Sequence, residues 1–160
     1  MKDITLIIVD MQAGFMTNST CKRLIPRIQE LLDTTPFKEI VTTKFVNTKD
    51  SSFVIQLGYT RMSTEEDTRL LFPGYKVVSK NTYTALHEWR PSTKKVWIVG
   101  VDTEGCVAQI AIECFEAGYE VSVLPYYCAS SGGIEYHFAG LKILRRLIGE
   151  KGVYYWKHKV

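Results

Sequence analysis

Two stretches decide the fold: Ile4-Thr5-Leu6-Ile7-Ile8-Val9, followed by Asp10, and Lys95-Val96-Trp97-Ile98-Val99-Gly100-Val101, followed by Asp102. Both are short, β-branched and almost continuously apolar. A strand with one wet face alternates apolar with polar residues, whereas a strand buried on both faces does not, and such burial is typical of parallel sheets. Working outward, two further strands read as Ile40 to Val46 and Tyr119 to Leu124. Weaker candidates are Lys76-Val77-Val78 and Gly152-Val153-Tyr154-Tyr155-Trp156, which brings the expectation to about six strands.

Between the strands the apolar period changes to that of a helix. Cys21 to Leu32 places Leu24, Ile25, Ile28, Leu31 and Leu32 on one stripe. Val107 to Ala117 does the same with Val107, Ile110, Ala111, Cys114 and Phe115, and Ile134 to Ile148 with Phe138, Leu141, Leu144, Leu147 and Ile148. Short helices are expected over Thr64 to Leu71 and Tyr83 to Trp89. Strand and helix alternate with no linker or repeat, so right-handed crossovers predict one domain over residues 1–160. Its class is α/β: a three-layer α/β/α, Rossmann-like domain around a mostly parallel sheet.

The composition agrees with one folded domain: 160 residues, 46% hydrophobic and 23% charged, which argues against disorder. A chain of this size buries roughly 70% of its unfolded surface, so stability demands neither disulfides nor a structural metal. No run approaches the ~18 to 20 apolar residues of a membrane span, and Met1-Lys2-Asp3 leads straight into the first strand without a signal-peptide layout. The expectation is a soluble, cytoplasmic protein with no membrane partner. The net charge of +3 is scattered over Lys22-Arg23, Lys94-Lys95, Arg145-Arg146 and the C-terminal lysines, which does not form the basic stripe of a nucleic-acid binder. Cys21, Cys106, Cys114 and Cys128 form no C-x-x-C pair, and His87, His137 and His158 do not space with them as zinc ligands, so no metal is expected. Gly100 to Gly105 lacks the middle glycine of a dinucleotide-binding loop, and no cofactor is implied.

In open parallel sheets ligands sit outside the carboxyl ends of the strands. After the first strand stands Asp10, in Val9-Asp10-Met11-Gln12-Ala13-Gly14-Phe15. It reads either as a turn residue or as a carboxylate held at the rim of the core for proton transfer. After the weak third strand stands Lys80, either solvated surface or a fixed cation for a thiolate or oxyanion. After the fourth comes Gly100-Val101-Asp102-Thr103-Glu104-Gly105-Cys106-Val107. Here Thr103 can cap the next helix, placing Cys106 in a first turn whose dipole favours a thiolate. Cys114 falls on the apolar stripe of that helix, and Cys21 and Cys128 lack a comparable setting, so these three read as structural. A carboxylate, an ammonium and a thiol thus reach one sheet edge, together with backbone N–H groups at a helix start. That set suits nucleophilic acyl transfer.

These residues resemble the isochorismatase-like cysteine hydrolases, a family that includes nicotinamidases and carbamoylsarcosine, maleamate and ureidoacrylate amidases. The matching stretches are Leu6 to Phe15, Lys80-Asn81-Thr82-Tyr83-Thr84-Ala85-Leu86 and Gly100 to Val107, extended by Gly118-Tyr119-Glu120-Val121 and Cys128-Ala129-Ser130-Ser131. The resemblance implies Asp10 as general base, Lys80 as electrostatic partner and Cys106 as nucleophile. It implies a cis peptide at Val101–Asp102 and an oxyanion hole formed by the backbone N–H groups of Asp102 and Cys106. The reaction it implies is hydrolysis of a C–N bond in a small amide, ureide or carbamoyl substrate through a Cys106 thioester.

The chain also departs from the family. Metal-binding nicotinamidases carry Asp-x-His after the second strand, but Thr43-Lys44-Phe45-Val46-Asn47-Thr48-Lys49-Asp50 has no histidine, which implies a metal-independent enzyme. Isochorismatases proper lack the cysteine nucleophile. Tyr126-Tyr127 stands where many relatives have Asp-Ala, removing a carboxylate. The segment Thr48 to Phe72 is shorter than the usual cap, with Phe53, Tyr59 and Met62 as its bulky residues. Phe15, Phe45 and Tyr83 are expected to line the substrate pocket, and His87 reads as a surface histidine. The resemblance implies a homodimer or larger, with Tyr126-Tyr127 and Tyr154-Tyr155-Trp156 as candidate contacts. The alternative is a non-catalytic small-ligand or protein-binding member whose pocket is closed or filled by aromatics.

Overall fold

The computed structural model describes residues 3–155. Five parallel strands run β1 (Ile4–Val9), β2 (Glu39–Phe45), β3 (Lys76–Lys80), β4 (Lys95–Gly100) and β5 (Glu120–Cys128), in spatial order β3-β2-β1-β4-β5. The order reverses at β1, so the crevice between β1 and its neighbours opens at their carboxyl ends. β1 is buried along its whole length.

Alternate residues of these strands feed two separate cores, one on each face of the sheet. Ile7, Val9, Val41, Val96, Ile98 and Val123 pack with Ile110, Ala111 and Cys114 of α4 (Ala108–Glu116) and Leu141, Leu144 and Ile148 of α5 (Ile134–Ile148). Leu6, Ile8, Trp97, Val99 and Leu124 pack with Cys21, Leu24, Ile28 and Leu31 of α1 (Ser19–Thr34), which completes the three layers. Each fully buried Leu or Ile on these stripes contributes roughly 1.5–3 kcal/mol of transfer free energy. Two one-turn helices, α2 (Ser52–Ile55) and α3 (Glu65–Thr68), lie in the stretch between β2 and β3.

Four expectations change. The sixth strand is absent among the described residues: the chain makes a 3-10 turn at Glu150–Gly152, and only Val153 bridges to Val123, beside the β5 edge. Trp156 lies outside the described residues. Residues 83–89 form turns, not a helix, and the Ala85 and Leu86 amides donate to Glu113 Oε2 at 3.0 Å each. On α5, Phe138 and Leu147 face solvent, and the inner stripe instead carries His137 and Gly140 besides Leu141, Leu144 and Ile148. Finally, β5 extends through Pro125 to Cys128, with a register irregularity against β4 between Ile98 and Gly100.

No helix among the described residues is long and apolar enough to cross a membrane.

Candidate active site

The carboxyl ends of β1, β3 and β4 bring Asp10, Lys80 and Cys106 together. Asp10 takes a left-handed backbone, φ 47°, which turns its side chain in from the strand end. Thr43 of β2 holds it there: the Asp10 N–H donates to Thr43 Oγ1 at 3.1 Å, and that hydroxyl donates to Asp10 Oδ1 at 2.6 Å. Both residues are fully buried.

Lys80 ends β3 opposite Phe45 of β2. Its ammonium has three N–H donors and meets three acceptors: Asp10 Oδ2 at 2.9 Å, the Thr82 carbonyl at 2.8 Å and Cys106 Sγ at 3.3 Å. The two side chains of the Asp10–Lys80 pair are wholly excluded from solvent. Burial pulls the Lys80 pKa down, but Asp10 and Cys106 outweigh it and hold the group above its ordinary value, so the ammonium stays charged.

Cys106 lies in a π-helical turn, Thr103–Val107, that precedes α4 rather than in the first turn of that helix. Thr103 does not cap: its hydroxyl pairs with His137 Nδ1 at 2.7 Å, and burial pulls the His137 pKa down, which favours a neutral ring. Inside the turn, Val107 N–H donates to the Asp102 carbonyl at 3.1 Å. The peptide between Val101 and Asp102 is cis. Two glycines let the chain approach this closely. At Gly100, φ 119°, a Cβ would stand 2.2 Å from the Val9 carbonyl oxygen, and at Gly140 of α5 it would stand 2.7 Å from the Glu104 nitrogen.

The electrostatics of the sulfur differ from the expectation of a stabilised thiolate. Burial, and then the Asp10 carboxylate, push the Cys106 pKa well above the ordinary thiol value, and Lys80 offsets this only in part. The direction of this shift favours a resting thiol beside the Asp10 carboxylate. Cys21, Cys114 and Cys128 are likewise pushed up to about 12, chiefly by burial.

Above the sulfur opens a pocket of about 300 Å³, at the small end of ligand sites. Phe15, Phe45 and Tyr83 are in its wall, with Phe53 and Tyr59 from the β2–β3 stretch. The rings form a chain: Phe15 to Phe45 at 6.3 Å, Phe45 to Phe53 at 5.0 Å and Phe53 to Tyr83 at 5.0 Å between centroids. Met62 is not in the wall; it is fully buried, beside Gly14. His87 is exposed and faces Glu88. Tyr126 stacks under the Arg27 guanidinium on the α1 side of the sheet.

Sequence reasoning missed Thr43, Leu57, the Asp102 side chain and the role of Ser131. Asp102 and Ser131 both line the pocket. Ser131 donates its N–H to Asp102 Oδ1 and its hydroxyl to Oδ2, each at 2.7 Å. Burial pushes the Asp102 pKa above its ordinary carboxylate value, and the two Ser131 hydrogen bonds offset this only in part. Asn18, the cap of α1, donates to the carbonyls of Ser130 and Ser131, and Ser130 donates to Glu104 Oε1. The motif Cys128-Ala129-Ser130-Ser131 was the available signal, but nothing in it shows what the hydroxyls hold.

Among the described residues no group of three His, Cys, Asp or Glu side chains stands where it could hold a metal ion, and no histidine lies between β2 and β3.

A three-layer α/β domain with its polar cluster at the reversal point of a parallel sheet is the setting in which the comparisons fall. Residues 5–151 match the family model described as Isochorismatase domain, and the chain belongs to that family of isochorismatase-like hydrolases. Among solved structures it is similar to PnC1 from L. infantum in complex with nicotinate, at 18% identity over 95% of this chain and 91% of that one, with a TM-score of 0.74. It is also similar to the pyrazinamidase of Pyrococcus horikoshii in complex with zinc, at 19% identity, 94% and 97% coverage and a TM-score of 0.70. N-carbamoylsarcosine amidase from Thermoplasma acidophilum matches at 14% identity, 88% and 92% coverage and a TM-score of 0.69. At these identities the likeness is one of fold. No curated protein matches the chain.

Proposed function

We propose that this protein is a metal-independent cysteine hydrolase that cleaves the C–N bond of a small amide, ureide or carbamoyl compound. The observation that carries this reading is the Lys80 ammonium, 2.9 Å from Asp10 and 3.3 Å from the Cys106 sulfur, under a pocket with that sulfur in its wall. Nicotinate and carbamoylsarcosine, named for two structural relatives, are of a size that about 300 Å³ accommodates. The non-catalytic alternative expects a closed or aromatic-filled pocket, and the open cavity beside Cys106 favours the hydrolase.

Asp10 takes the thiol proton as Cys106 Sγ attacks the substrate carbonyl carbon. The oxyanion is received by the Asp102 and Cys106 amides, with Lys80 nearby. Asp10 then returns its proton to the leaving nitrogen, the C–N bond breaks, and an amine or ammonia departs. Water, deprotonated by Asp10, attacks the thioester carbonyl. The acid is released and the thiol is restored by the same proton. We assign the enzyme to a homodimer or larger assembly, on the family resemblance.

The test is intact-mass spectrometry after mixing with an activated acyl donor such as p-nitrophenyl acetate, followed by turnover of amides, ureides and carbamoyl compounds. An acetyl adduct at Cys106, absent in Cys106→Ser, is expected. Asp10→Asn is less clean, because removing one member of a buried pair costs about 3–5 kcal/mol of stability. No adduct and no turnover across the panel would refute the proposal.

A further inference from the structure

The proposed chemistry leaves one charge in the pocket without a task. Of the residues lining it, Asp102 alone carries a formal charge, because Asp10 and Lys80 neutralise each other beneath the sulfur. The Asp102 carboxylate is held by a bracket: Ser131 donates to both of its oxygens, and Asn18 fixes the Ser131 carbonyl. Each oxygen accepts one of these bonds, and a carboxylate has about four acceptor positions, so two remain for a ligand. No arginine or lysine lines the pocket to receive an anion. The rest of the wall includes the rings of Phe15, Phe45, Phe53 and Tyr83, whose faces attract cations and whose edges pack flat groups.

Resting on the hydrolase reading, we infer that Asp102 is a specificity-determining residue, and that the substrate is a small amide or ureide bearing an amino, amidino or similar N–H donor and no carboxylate. The donor docks on Asp102 while the scissile carbonyl faces Cys106. A substrate carrying a carboxylate would meet an uncompensated negative charge in a largely apolar pocket and find no partner. This separates substrates such as N-carbamoyl amino acids, whose carboxylate needs a cation, from aminated or neutral amides of the same size.

The experiment measures binding, not turnover. Calorimetry on the Cys106→Ala protein compares benzamidinium with benzoate, two ligands of one shape and opposite charge. Benzamidinium should bind at least about tenfold more tightly, since a hydrogen bond to a charged group is worth about 10- to 100-fold. Asp102→Asn in the same background should abolish that order. Benzoate binding as tightly or more tightly, no detectable benzamidinium binding at millimolar concentration, or an order unchanged in Asp102→Asn would each overturn the inference. If Asp102→Asn does not fold, the order of the two ligands on the Cys106→Ala protein still decides. The acyl-adduct measurement on the unaltered protein is separate: an adduct with benzoate preferred sinks the specificity and keeps the hydrolase, whereas no adduct and no turnover sinks the hydrolase and with it this reading.

Discussion

Thr43→Val isolates how much of the proposed catalysis depends on aiming Asp10. Thr43 is fully buried and touches neither pocket nor sulfur, but its hydroxyl accepts the Asp10 N–H at 3.1 Å and donates to Asp10 Oδ1 at 2.6 Å. Valine keeps the branched shape and the β-propensity that β2 needs, and removes both bonds. A hydrogen bond to a charged group contributes about 1.5–3 kcal/mol, and the orphaned Asp10 N–H adds about 1–3 kcal/mol of desolvation cost. The protein should therefore lose about 2.5–6 kcal/mol of stability in urea unfolding, with the slope m unchanged. Asp10 keeps its ion pair with Lys80 and so stays in place, but it is free to rotate away from the sulfur. If its orientation is used in the transition state, kcat falls about 10- to 100-fold with KM nearly constant, each factor of ten being about 1.4 kcal/mol. Thr43→Ser, which restores the hydroxyl, should recover most of kcat while remaining slightly less stable. A purely structural Thr43 would give the stability loss without the kcat loss. Full kcat in folded Thr43→Val, or a loss confined to KM, would refute the reasoning.

Three further outcomes can be checked directly. Because burial and Asp10 raise the Cys106 pKa, the rate of alkylation by iodoacetamide should keep climbing as the pH rises through 9, and a plateau below pH 8 would mean a depressed pKa after all. Peptide mapping should find Cys106 modified well before the fully buried Cys21 and Cys114, and equal labelling of all four cysteines would contradict the assignment. Gly140→Ala gains up to about 1 kcal/mol of helix propensity, yet its Cβ falls 2.7–3.0 Å from Glu104 atoms that are mostly backbone, and overpacking costs about 1–3 kcal/mol. A lower melting temperature with a larger relative fall in kcat is expected, since the displaced segment is the Cys106 turn. Unchanged kcat would show that α5 does not position that turn.

The parts of the fold legible in the sequence are those set by local pattern. β1 reads correctly to the residue because its burial on both faces is written in its composition; α5 reads correctly in its bounds, although His137 and Gly140 take inner positions while Phe138 and Leu147 of the expected stripe face solvent. Asp10, Lys80 and Cys106 were legible because parallel strands deliver whatever follows them to one edge. The failures share a cause, which is competition from distant partners. A helix over residues 83–89 is pre-empted when Glu113, more than 25 residues on, takes the Ala85 and Leu86 amides. Thr103 is a good cap by type but is claimed by His137, 34 residues away. Thr43 and Ser131 were invisible as supports for the same reason: each acts on a carboxylate about 30 residues distant, and neither residue type announces its partner.

The sign of the Cys106 shift is more than a correction, because it fixes how charge can move. With Asp10 ionised, Lys80 protonated and Cys106 a thiol, the three buried groups carry no net charge. Ionising the thiol to solvent would leave a net negative charge in an apolar pocket next to Asp102, and burial resists that. Transfer of the proton to Asp10 avoids it: the thiolate inherits Lys80 as its partner at 3.3 Å, the carboxyl becomes neutral, and the net charge is unchanged. A buried ion pair and a raised thiol pKa are thus compatible with nucleophilic chemistry, provided that base and nucleophile share one cation. The same condition gives Asp102 its influence. As the charge in the pocket that the relay does not neutralise, it acts on any charge the substrate brings, in the ground state and in every later step.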